Sequence, residues 1–219
     1  MFTELIDLLR CPQPHEDSWL VASSTRTGDR HILDGRLGCP VCRASYDITD
    51  GEVLFSSAPV LRSAITLDED AAFRLAAQLH LLEAPPPILL TGQWSRAVAA
   101  LRRITPTVTM FVGDATSVVA QDDRVSTLRL PASGIPLAAG ALRGLALDRA
   151  HAGEAYLPDA ARVVRARGRL VVPLGTLLDA TTWRTLASDT DVTVAERLPV
   201  ATAPVTLRRA PAHPLFTPS

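Results

Sequence analysis

The pattern of apolar and polar positions changes character about a quarter of the way along the chain. Up to residue 58 the apolar runs are short. "ELIDLLR" reads as an amphipathic turn or short helix. "WLVASST" and "RHILDGRLGC" read as two strands around a turn at residues 27–29, where Gly28 can take a positive φ. "SYDITDGEVLF" alternates with a period of two, which turns Tyr46, Ile48, Val53 and Phe55 inward and leaves Asp50-Gly51 as the turn.

From residue 66 the rhythm lengthens. "TLDEDAAFRLAAQLHLLE" has helical spacing, with Thr66 as N-cap and Asp68, Glu69 and Asp70 in the first turn, where acids suit the helix dipole. "PILLTG" is a short apolar strand, "QWSRAVAALRRI" a helix, "TVTMFVG" a strand and "DATSVVAQD" a short helix. "RVSTLRL" and "LRGLALDRA" are strands. "EAYLPDAARVVRAR" reads as a helix ended by Gly168, "GRLVVPLG" as a strand and "ATTWRTLASDT" as a helix. "VTVAERL" and "VTLRRA" close the chain as two strands. Apolar strands alternating with helices predict an α/β fold: a mostly parallel sheet covered on both faces, with an antiparallel hairpin at one edge. The small residues and Pro59 of "SSAPVLRS" suit a linker, so two units are expected, 1–58 and 66–219.

Composition narrows the picture. The chain has 219 residues, 47% hydrophobic, enough for one ordinary domain and a small one. A net charge of -1 does not indicate a nucleic-acid or membrane surface, and aromatics at 5% argue against a stacking platform for single strands. The cations are arginines, and "RVVRARGR" reads as a solvated helix face rather than an RNA patch. Residues 1–10 carry Glu4 and Asp7 and lack the basic start of a secretory signal, so a cytoplasmic protein is expected. No apolar run is long enough to span a bilayer. The acceptor, any protein partner and a homo-oligomeric state are left open by the sequence.

Three cysteines, two of them in the C-x-x-C pair Cys39/Cys42, point to a metal or to reduced thiols and not to disulfides. Cys11 lies in "LLRCPQPHEDSWL" with His15 four residues on, completing a Cys3His set for tetrahedral zinc. Asp17 and His31 are weaker candidates for the fourth position. Such a site is closed and structural, and it supplies stability that a small module cannot draw from its own core.

"LLRCP" followed by "LGCPVCRASYDITDGEVLF" resembles the small zinc-ribbon activator subunit of tRNA, rRNA and release-factor methyltransferases, and its short bacterial relatives. Cys11, Cys39 and Cys42 match that family's cysteines, and Tyr46, Asp47, Ile48, Asp50 and Gly51 its closing motif. Pro14 stands where the family carries a fourth cysteine. The resemblance implies a ribbon that covers an apolar edge of a methyltransferase and does no chemistry itself. "IPLAAGALRGLALDRAHAGEAYLPDAARVVRARGRLVVP" in turn resembles the second half of a class I S-adenosylmethionine-dependent methyltransferase, through Leu157, Ala160, Arg162, Val163, Val164, Gly168, Arg169 and Leu170. A Rossmann-like methyltransferase sheet preceded by a zinc-ribbon-like module is the architecture so implied.

That family cradles the cofactor's methionine moiety with a glycine-rich loop after the first strand, because the backbone must come close. Here Gly92 is the one glycine, followed by Gln93, Trp94 and Ser95. Trp94 can stack on the adenine or fill the pocket. Asp114 stands near the place of the ribose-binding acid, and "TLRLPASGIP" offers only Ser133 where a third acid is often found. Asp148 and His151 fall after the fourth strand, on the edge where such sheets bind ligands. His151 is a candidate base or a loop histidine, and Asp148 a candidate catalytic acid, a helix cap or a partner of Arg149. Two functions follow: a methyltransferase using S-adenosylmethionine with a ribbon in cis, or a non-catalytic relative that kept the fold and lost the cofactor.

Overall fold

The computed structural model describes residues 1–60, 67–81, 87–120 and 124–199. The first region folds as an antiparallel meander of β1 (Val21–Gly28), β2 (His31–Gly38), β3 (Ser45–Thr49) and β4 (Glu52–Leu54), after a 3-10 helix at Thr3–Leu8. The second supplies parallel strands β5 (Ile88–Thr91), β6 (Met110–Gly113), β7 (Val125–Arg129), β8 (Leu142–Ala146) and β9 (Val164–Pro173). Strands β10 (Trp183–Ser188) and β11 (Val192–Arg197) form an antiparallel pair at the far edge. Among the described residues three α-helices accompany them: α1 (Glu69–Gln78), α2 (Val98–Ile104) and α3 (Leu157–Val163). None is long and apolar enough to cross a membrane.

All these strands join one 11-stranded sheet in the order β1-β2-β3-β4-β7-β6-β5-β8-β9-β11-β10. Counted from β5, the parallel strands run 3-2-1-4-5, the doubly wound order, and the chain reverses direction across the sheet between β5 and β8. The fold is α/β and Rossmann-like. The meander is not a separate sheet. Its last strand, β4, pairs in parallel with β7, Val53 opposite Leu128. The Arg129–Glu52 ion pair (3.0 Å, both side chains mostly buried) and the Phe55 N–H on the Arg129 carbonyl close the seam. The Phe2 N–H donates to Ser126 Oγ at 2.9 Å, and the Met1 amino group to the Ile32 and Gly51 carbonyls.

Alternation along the parallel strands divides the core. Ile88, Leu90, Met110, Val112 and Val171 face α1 and α2, joining Leu75, Leu79 and Leu101. Leu89, Phe111, Leu128, Leu145 and Leu170 face the other way, joining Met1, Phe2, Leu5 and Leu9 of the first region and Ala160 and Val163 of α3. A parallel sheet needs cover on both faces. No described residue between β6 and β8 is in an α-helix, and the first region covers that side instead.

Several sequence expectations change. The segment "ATTWRTLASDT" holds strand β10, not a helix, because pairing with β11 overrides its helical composition. Helix α3 stops at Val163, and Arg165–Gly168 bulge out of the β8–β9 ladder. Gly168 is required there by close approach and not as a C-cap: a Cβ would lie 2.8 Å from the Arg143 carbonyl oxygen. Arg165 and Arg167 therefore project from this bulge and not from a helix face. The turn between β1 and β2 places Asp29, not Gly28, at positive φ. Asp50-Gly51 forms the expected turn with both φ values positive, 47° and 78°. Asp68 caps α1 by accepting the Ala71 N–H at 2.6 Å. Asp114–Ala120 are not helical. Thr66 and the expected final strand "VTLRRA" lie outside the described residues.

Candidate functional site

Two groups of chemistry-bearing side chains emerge. The first is in the N-terminal region, beside the meander. The Cys11 N–H donates to the Ser18 carbonyl, closing the loop that holds His15, while Cys39 and Cys42 flank a tight turn closed by the Arg43 N–H on the Cys39 carbonyl. This brings Cys11, His15, Cys39 and Cys42 together, with ligand atoms all within 4.8 Å of one another. Cys11 Sγ and Cys42 Sγ are 3.7 Å apart, and Cys39 Sγ is 3.4 Å from His15 Nε2. A zinc tetrahedron with Zn–S bonds of about 2.3 Å has sulfur–sulfur edges of about 3.8 Å. His15 Nδ1 lies 2.6 Å from the Glu16 carbonyl, which can only accept, so Nδ1 carries the proton and Nε2 is left free to ligate. The donor set fits zinc.

Burial opposes ionisation of Cys39, yet the backbone N–H groups of Cys42 and Val41 and the neighbouring thiols bring it down to about 6. Burial pushes Cys11 up to about 11. Asp17 pairs instead with Arg10, and His31 is buried against the Phe2 ring, so neither joins the cluster. Tyr46, whose hydroxyl is 3.6 Å from Cys11 Sγ, is a neighbour that spacing alone does not reveal. This cysteine–histidine knuckle is also tied to the connection between β7 and β8: the Arg10 N–H donates to the Pro136 carbonyl and the Ala138 N–H to the Leu8 carbonyl.

The second group lies at the carboxyl ends of the parallel strands, where β5 and β8 diverge. Gly92 opens a 3-10 helix, Gly92–Ala97, with φ 47°. The space above it is filled, since a Cβ on Gly92 would collide with the Asp148 carboxylate. That carboxylate accepts the Gln93 N–H at 3.1 Å, and the Asp148 N–H donates to Thr91 Oγ1 at 3.0 Å. His151 Nδ1 is 2.5 Å from Asp148 Oδ1, and its Nε2 is 2.9 Å from Asp114 Oδ2. Asp114 also accepts the Leu130 N–H. Asp148 and His151 are each only 8% exposed, so this is a buried carboxylate–imidazole–carboxylate bridge.

Burial works against the charged imidazole, but the hydrogen bonds and charges of Asp114 and Asp148 prevail and raise His151 to about 9. Burial likewise opposes the Asp148 anion, and His151 and the Gln93 N–H overcome it and hold its carboxyl below the usual range. Protonated at neutral pH, His151 donates from both ring nitrogens and has no lone pair with which to accept a proton. Tyr156 packs edge-on against it and donates to the Pro131 carbonyl. Asp148 makes no ion pair with Arg149 among the described residues. The structure thus brings Gly92, Asp114, Asp148 and His151 to one corner. Trp94 packs away from it, against the α1-facing core. Sequence reading misses Thr91, whose hydroxyl is an ordinary strand-end group until Asp148 is placed beside it.

S-adenosylmethionine does not fit this corner as it stands. The Gln93 amide, the room over Gly92 and the Asp114 carboxylate are engaged by the chain's own Asp148 and His151.

No family model matches the chain, and no curated protein matches it. Among solved structures it is similar to a protein of Bacillus halodurans C-125 provisionally described as a methyltransferase. Identity is 16% over 48% of this chain and 49% of that one, with a TM-score of 0.35. It is also similar to geranyl diphosphate methyltransferase in complex with GPP and sinefungin: 14% identity, 48% of this chain, 44% of that one, TM-score 0.37. The chain matches about half the length of each. The fold rests on the strand order described above and not on these likenesses.

Proposed function

We propose that this chain is a methyltransferase-like protein with its own structural zinc ribbon in cis, in which an internal bridge has replaced S-adenosylmethionine and the molecule works by binding rather than by methyl transfer. Residues 1–58 are the ribbon and 66–219 the methyltransferase-like unit. The ribbon's part is to cover one edge and one face of the parallel sheet, as its resemblance to the activator subunit suggests and as β4 and Leu5 support. Zinc held by Cys11, His15, Cys39 and Cys42 supplies fixed geometry to a module with little core of its own. Thiolates used in this way suit a reducing compartment such as the cytoplasm.

The observation that carries the reading is the occupied corner. Asp148 takes the backbone amide that a cofactor's carboxylate would take, and His151 donates to the acid that ribose hydroxyls would reach. Calorimetric titration of the zinc-loaded chain with S-adenosylmethionine and S-adenosylhomocysteine tests it. The expected result is no binding heat up to millimolar ligand. Saturable micromolar binding would establish the second reading, an S-adenosylmethionine-dependent methyltransferase. That reading is favoured by the convergence of Asp114, Asp148 and His151 at the β5/β8 edge.

A further inference from the structure

A separate cleft of about 500 Å³ opens beside the bridge, between α1, the loop after β5 and the β10–β11 turn. Its place is the carboxyl edge of the sheet at the β5/β8 switch, where open α/β sheets take ligands, and its size is that of a small-molecule site. Three guanidiniums line it: Arg74 from α1, Arg96 from the 3-10 helix and Arg149 after β8. Among the described residues no ion pair engages any of the three, whereas Arg26, Arg30, Arg36, Arg129 and Arg162 are each paired.

The cleft's two carboxylates do not neutralise them fully. Asp189 Oδ1 accepts the N–H groups of Asp191 and Val192, both at 2.8 Å, and is held below the usual carboxyl range mainly by them, with the Arg74 charge a smaller contribution. It is committed to its own turn, with Gln78 on its other oxygen. Asp191, the second, is exposed. Trp94 forms part of the wall. Its indole N–H and the Arg96 Nε–H are buried beside the cleft with no acceptor among the described residues. Buried donors without acceptors are costly, and an acceptor-rich ligand would satisfy them.

We propose that this cleft binds a nucleoside monophosphate, its base against the Trp94 indole and its phosphate between Arg149 and Arg74. Guanidinium forks match phosphate oxygens, and an indole offers a flat apolar face to a base. The inference is independent of the closed Gly92 corner, since none of the three arginines takes part in the bridge.

Calorimetry of the zinc-loaded full chain with adenosine monophosphate, inorganic phosphate and adenosine tests it. Adenosine monophosphate is expected to bind saturably, to be displaced by phosphate, and to bind more tightly than adenosine. Arg74→Ala and Arg149→Ala, both at exposed positions, are expected to weaken binding about tenfold or more each. Trp94→Phe is expected to abolish a ligand-induced change in indole fluorescence while leaving phosphate competition intact. No saturable binding, binding indifferent to both arginine variants, or adenosine binding as tightly as its monophosphate would each overturn the proposal.

Discussion

The cysteine–histidine knuckle of the first region and the carboxyl-edge corner are both clusters of potential ligands, yet they are built in different ways. At the knuckle, short backbone turns aim Cys39 and Cys42 at one point, and the Cys11–Ser18 hydrogen bond aims Cys11 and His15 at the same point. The groups that meet there are three thiols and an imidazole in weak mutual contact, and all four are of the kind that a cation takes as ligands. At the corner, strand ends bring together groups 34 and 37 positions apart in sequence, and these groups satisfy one another: an imidazolium between two carboxylates. The knuckle offers a donor set that could hold a metal. The corner's groups bond to one another. Likeness of fold alone would assign the corner a cofactor, and the side chains argue otherwise.

The largest effect is expected at the knuckle. Structural zinc sites have apparent binding free energies of about 10–16 kcal/mol, comparable to the whole stability of a domain. Chelation, or Cys39→Ser, is expected to release one zinc per chain and to unfold the meander. Because Leu5 and Leu9 cover the sheet, thermal unfolding of the whole chain should move to much lower temperature. Elemental analysis with circular dichroism checks this, and unchanged melting after complete metal loss would reduce the knuckle to a decorative cluster.

The seam between the regions comes next. Leu128 is fully buried opposite Val53. Leu128→Ala is expected to cost about 2–5 kcal/mol in a urea titration, with one cooperative transition retained. Two separate transitions would show that the regions fold independently.

The smallest effect belongs to the bridge. His151 is raised to about 9 from an ordinary 6.5, so its contribution to stability is complete below pH 6.5 and is lost as pH rises through 9. Urea midpoints measured from pH 6 to pH 10 should fall over that window, and His151→Ala should flatten the fall.

The same contrast explains what could be read in advance. The Cys11, His15, Cys39 and Cys42 cluster and the Asp50-Gly51 turn are local: spacing and turn chemistry bring the four side chains within reach of one another and place the turn. The parallel strands themselves were legible in apolar runs such as "PILLTG" and "TVTMFVG", whose burial on both faces is itself local information, whereas their order across the sheet came from the structure. Strand β10 was not legible, because only its β11 partner makes "WRTLAS" a strand. The end of α3 was hidden by Arg165–Gly168, which continue its composition while bulging from the sheet. At the corner each of Gly92, Asp114, Asp148 and His151 could be singled out, but their mutual engagement could not. That is fixed by the register of β5, β6 and β8, which sequence periodicity does not give.

The most direct test of the occupied corner is an NMR titration of the His151 ring, with and without millimolar S-adenosylhomocysteine. The bridge predicts ring resonances that remain those of an imidazolium until pH approaches about 9 and do not shift when the nucleoside is added. A ring that titrates near 6.5, or resonances displaced by the nucleoside, would mean that the corner is open to a cofactor.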